Sequence, residues 1–136
     1  MGESDLPRIE QGEAEVLCGA VGEIVELATN AFCQRDDALA GRVEPLEEVI
    51  DSLRMQICTV YVERLRRGEC DKASGPEIAD LLNDLERIAD HCSNIAAYLL
   101  ASANHKPPHA YLHYVRTSGQ GEFDAWYGYY RKRYQI

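Results

Sequence analysis

Leu39-Ala-Gly-Arg-Val-Glu-Pro-Leu-Glu-Glu-Val-Ile-Asp-Ser-Leu-Arg-Met-Gln-Ile-Cys-Thr-Val60 carries apolar side chains at Leu39, Val43, Leu46, Ile50, Leu53, Ile57 and Val60, in alternating steps of four and three. That alternation is a heptad seam, which marks a helix packing in a bundle and excludes a strand, whose period is two. Pro45 falls inside the pattern and lacks a backbone donor, so the spacing predicts either a kink there or a helix that begins there. Arg64, Arg66 and Arg67 suit the negative end of a helix dipole, and Gly68 is a natural residue to succeed the last turn.

Working outward, Leu17, Val21, Ile24 and Ala28 predict a first helix from about Ile9 to Cys33. Gln34-Arg-Asp-Asp37 interrupts it, with Asp36 or Asp37 as the N-cap of the next helix. On the far side, Ser74 and Glu77 have capping-box spacing. Ile78, Leu81, Leu85, Ile88, Cys92, Ile95 and Leu99 then form the seam of a third helix, stopped by Asn104-His-Lys-Pro-Pro-His109. Three long amphipathic helices with short turns predict an all-α, antiparallel three-helix bundle. Residues 1–9 read as a flexible lead-in and 10–136 as one bundle domain. Six of the eight tyrosines and the one tryptophan lie in 110–136, with Gly119 and Gly121 between two short helical pieces. This aromatic tail (103–136) is expected to pack on the bundle or on a partner.

Composition excludes several functions. A net charge of −9 lacks the basic face that nucleic acid requires, so no nucleic-acid partner is expected. No apolar run of about 18 residues is evident, and the start has no basic-then-apolar signal pattern. Five cysteines without a CxxC pair fit neither a disulfide framework nor a zinc ribbon, which points to a reducing cytoplasm. No Glu-x-x-His, His-Glu-x-x-His or Gly-x-Ser-x-Gly occurs, so no catalytic constellation is present and no enzyme is expected.

The acidic residues carry the functional question. Glu47 and Asp51 on the second helix, and Glu86 and Asp90 on the third, are each four apart and so share a helix face. If the intervening turn closes near residue 72, Asp51 stands level with residue 93, and the four carboxylates line an outer groove outside the core. Such a stripe is either solvated surface or an oxygen-rich cation site. His91 is expected to be a half-buried bundle residue, and His105, His109 and His113 ordinary loop and tail residues.

Asp84-Leu-Glu-Arg-Ile-Ala-Asp-His-Cys-Ser-Asn-Ile-Ala96 closely resembles the signature helix of PhoU-like domains. Glu44-Pro-Leu-Glu-Glu-Val-Ile-Asp-Ser-Leu53 is similar to the matching acidic helix of the same repeat. Arg67-Gly-Glu-Cys70, Asp90 to Ala96 and the tail ending Lys132-Arg-Tyr134 resemble the C-terminal PhoU-like domain of bacterial sodium/phosphate cotransporters. The resemblance implies a metal-competent repeat whose ligands are Glu47, Asp51, Glu86 and Asp90, with Asn94 as a further candidate. The metal would be a divalent or ferric ion: iron, zinc, manganese or nickel. It also implies a regulatory or accessory role in sodium-dependent phosphate transport, in the cytoplasm at the inner face of the plasma membrane. Expected partners are the membrane part of the cotransporter or a second PhoU-like repeat, with homo-oligomerisation. PhoU proteins carry two such repeats and this chain one, which implies a second half-site or a dimer; the expected context is an excised cytoplasmic domain, with a free-standing homologue as the alternative. The competing reading is a purely structural oligomerisation bundle with no metal or phosphate role.

Overall fold

The computed structural model describes residues 11–69, 75–104 and 120–136. Helix α1 (Gln11–Gln34) is succeeded by a one-turn helix α2 (Asp37–Ala40), then α3 (Val43–Arg66), α4 (Gly75–Asn104) and α5 (Gln120–Arg133). No strand occurs among the described residues, and the fold is all-α.

Local chemistry sets these boundaries. Arg35, at φ +50°, breaks the helix after α1, and the Asp36 carboxylate then accepts from the backbone N–H groups of Ala38 (3.0 Å) and Leu39 (3.2 Å). Pro45 resolves as a helix start: it lies buried in the first turn of α3, where its missing donor costs nothing. Past α3, Gly68 adopts φ +76°, the left-handed conformation that favours glycine. Ser74, the lead-in and the three tail histidines lie outside the described residues. Gly121 is the second residue of α5, and Gly119 lies outside the described residues.

Side-chain contacts fix the helix directions. Arg64, near the end of α3, pairs with Glu13, in the first turn of α1, at 2.9 Å, so the two helices are antiparallel. Ser93 of α4 bonds Glu44 at the start of α3, so α4 reverses again and runs parallel to α1. The core between them holds Leu17, Ile24 and Ala31 from α1, Leu46, Ile50 and Ile57 from α3, and Ile78, Leu82, Ala89 and Ala96 from α4. The α3 seam packs as its spacing predicts, from Val43 through Ile57.

The α4 seam does so only in part: Ile78 and Cys92 are buried, and Leu85 and Leu99 pack partly against the core. Leu81, Ile88 and Ile95 are exposed, and the buried stripe is rotated onto Leu82, Ala89, Ser93, Ala96 and Leu100. Small residues at Ala89 and Ala96 admit neighbouring helices more closely than a leucine row would, so close packing selects them. Helix α1 also departs from expectation. Gly12–Gln34 is long and apolar enough to cross a membrane by length and composition, at mean hydropathy 1.4. One face of it is spent inside the bundle.

Helix α5 packs on α3 through aromatic side chains. Tyr130 is fully buried, its hydroxyl accepts from Arg42 Nε at 3.1 Å, and the Arg42 guanidinium lies 4.1 Å from the Trp126 ring centre. Arg133 Nε donates to Glu23 at 3.0 Å, and the Tyr134 hydroxyl bonds the same carboxylate, tying the last turn to α1.

Candidate metal centre

The acidic face of α3 begins one turn earlier than the paired spacing suggests. Glu44, Glu47 and Glu48 offer carboxylate oxygens that all lie within 4.8 Å of one another. Glu44 is only 5% exposed, and Ser93 Oγ donates to its Oε2 at 2.5 Å across the α3–α4 interface. A buried carboxylate needs such donors, because removal from water penalises its charge.

Glu47 bears the consequence. Burial, reinforced by the charges of Glu44, Glu48, Asp51 and Asp90, pushes its carboxyl up to about 8 from an ordinary 4.5. Near neutral pH the cluster therefore holds one proton where a cation would serve the same purpose. Asp51 is engaged on its other side by Arg54, whose Nη2 donates to Oδ1 at 3.1 Å, while Arg54 Nε is buried with no hydrogen-bond partner.

The structure brings together part of the expected set. The charges of Asp51 and Asp90 reach Glu47 from different helices, but of the expected set only Glu47 belongs to the group whose oxygens lie within 4.8 Å of one another, its companions there being Glu44 and Glu48. Glu86 is half-buried and is not among the charges acting on Glu47. Asp90 and Asn94 are exposed. His91 is exposed too, which corrects the half-buried placement expected for it. The helix register also differs from the expected one. With Glu44 opposite Ser93 and Glu47 facing Asp90, Asp51 stands level with residue 86 and not with residue 93. A shift of one heptad presents the same helix faces, so periodicity cannot distinguish the two registers.

Glu44, Glu48 and Ser93 were missed. The signal for the first two was available, because Glu44 and Glu48 are themselves four apart. Ser93 had none, since only the register places it opposite Glu44.

All donors in the cluster are oxygens. Such a set fits hard cations, with manganese or ferric iron better matched than zinc, which favours imidazole and thiolate. Three carboxylates within bridging distance and a proton retained near neutrality fit an ion of that class.

Residues 15–99, which contain the whole cluster and its α4 partners, match the PhoU domain family. The chain belongs to the PhoU family. The phosphate-specific transport system accessory protein PhoU homolog 1 of Thermotoga maritima is 28% identical over 109 residues, covering 80% of this chain and 47% of the relative. The chain thus spans about half the length of the curated relative it matches. No solved structure matches it. Helix α5, with its aromatic contacts to Arg42, lies beyond the PhoU match.

Proposed function

We propose that this PhoU-family chain is a non-enzymatic regulatory or accessory domain of phosphate transport whose α3–α4 carboxylate groove binds a metal ion. Its place is the cytoplasmic side of the plasma membrane, beside the membrane part of a sodium/phosphate cotransporter. A second PhoU-like repeat or a second copy of the chain completes the assembly. The grouping of Glu44, Glu47 and Glu48 within 4.8 Å, with the charges of Asp51 and Asp90 reaching Glu47, supports this reading, because it concentrates charge at one place on the bundle.

Each residue has a defined part. Ser93 holds Glu44 in place, and Glu44 and Glu48 crowd Glu47 so that near neutral pH it keeps a proton that a cation would displace. Asp51 and Asp90 supply oxygens from the two sides of the groove, with Glu86 and Asn94 further along α4. A bound manganese or ferric ion would supply positive charge that neutralises the cluster and, at its outer positions, attracts phosphate. The helix faces flanking the groove then report ion or phosphate status to the transporter.

The test is phosphate uptake in cells carrying the natural chain or Asp51→Ala/Asp90→Ala in its own transport system. Altered restraint of uptake, with unchanged protein level, is the expected result. Unchanged uptake would leave the bundle a structural oligomerisation element.

A further inference from the structure

Helices α1 and α4 carry more apolar surface than the bundle covers. Besides its buried face, α1 has a second row of small or apolar residues, Cys18, Gly22, Val25, Thr29 and Phe32, in the same four–three alternation, and every member is exposed. Only 39% of its most apolar window is buried within the chain. On α4, Leu81, Ile88 and Ile95 recur at seven-residue steps and are 46%, 41% and 41% exposed, with Tyr98 at 67%. The two rows adjoin, since Phe32, Ile95, Tyr98 and Leu99 line one cavity of about 430 Å³. Because α1 and α4 are parallel, Phe32 beside Ile95 puts Val25 level with Ile88 and Cys18 level with Leu81.

We infer that this α1/α4 face is the surface on which a second copy of the chain docks, with α1 antiparallel to α1 and α4 antiparallel to α4 about a two-fold axis at Val25 and Ile88. The inference rests on the homo-oligomer reading above and names its surface.

Size supports that occupant. Val25, Phe32, Leu81, Ile88, Ile95 and Tyr98 together expose roughly 500 Å² of apolar surface, the size of patch that commonly marks an interaction site. Small neighbours at Gly22 and Thr29 and the polar rim extend it toward the ~800 Å² per partner of a stable interface.

Shape supports it as well. The two-fold sets the large Phe32 of one copy opposite Cys18 of the other, beside Gly22, where even a Cβ would touch nothing within 4 Å. Leu81 falls opposite Ile95, so each aliphatic side chain meets another. The charge of −9, with Glu26, Asp84 and Asp90 exposed on these two helices, opposes an anionic bilayer as occupant.

The full chain in sedimentation velocity should be a dimer at tens of micromolar. Phe32→Glu/Ile95→Glu should weaken self-association roughly ten-thousandfold, about tenfold for each of the four charges buried in the symmetric dimer, with helicity unchanged. Val62→Glu, on an exposed apolar position of α3, should leave the dimer intact. A short bismaleimide should join Cys18 of one copy to Cys33 of the other, both exposed, as identified by peptide mass spectrometry. A dimer that survives Phe32→Glu/Ile95→Glu and gives no Cys18–Cys33 link would overturn the face while leaving self-association intact. A monomeric natural chain would overturn both. A monomer that pellets with phosphatidylserine vesicles, and stops doing so in the double variant, would assign the face to a membrane instead.

Discussion

Glu47→Gln should stabilise the metal-free protein, by an amount that grows as pH rises from about 4.5 to 8. In the fold the Glu47 carboxyl is held near 8 against an ordinary 4.5. Because its folded-state value is raised, the native state binds the proton more tightly than the unfolded chain. Its contribution to stability is therefore full below about pH 4.5 and is lost as pH rises through 8. An unscreened conversion of that shift gives about 5 kcal/mol; the group is more than a third open to solvent, and screening reduces this to about 2 kcal/mol. Glutamine is neutral at every pH and avoids the penalty. Urea unfolding monitored by circular dichroism, in chelator at pH 5, 7 and 9, measures the difference between the variant and the natural chain. The expected difference is near zero at pH 5, rises through pH 7 and reaches about 2 kcal/mol at pH 9. A difference that does not change with pH would refute the crowding of Glu47 by its carboxylate neighbours.

Ser93→Ala removes a donor from the buried Glu44 carboxylate and should cost about 1.5–3 kcal/mol in the same assay, typical of a hydrogen bond to a charged group. Arg42→Ala loses both the stacking on Trp126 and the Tyr130 hydrogen bond. It should loosen α5 by about 1–2 kcal/mol, seen as a red-shifted, more quenchable emission from the single tryptophan before global unfolding. Glu13→Gln weakens the partly buried fork to Arg64 that joins α1 to the end of α3. Its expected cost is about 1 kcal/mol in urea midpoint, reduced at high salt.

The bundle was legible because α3 states its period without interruption, and one well-read helix limits what its neighbours can do. The α4 seam misled because three apolar rows overlap there, and hydrophobicity weights leucine and isoleucine above alanine. Packing decided otherwise: Ala89 and Ala96 face inward, and Leu81, Ile88 and Ile95 are left outside. For the candidate site, spacing drew attention to Glu47, which does lie in the carboxylate group, but could not supply the register, which a one-heptad slip leaves unchanged in pattern. Glu44 was hidden for a different reason. A glutamate beside a proline in a first turn reads as solvent-facing until a donor such as Ser93 is known to stand across from it. Arg42 was equally opaque, since its partners Trp126 and Tyr130 come from the far end of the chain.

The central claim is that the α3–α4 groove is a cation site, and elemental analysis of the purified chain tests it most directly. The natural protein should retain manganese or iron in fixed proportion to protein, and Asp51→Ala/Asp90→Ala should lose it while keeping its helicity. No metal in either protein, with both equally helical and with manganese failing to raise the melting temperature of the natural chain, would contradict the claim.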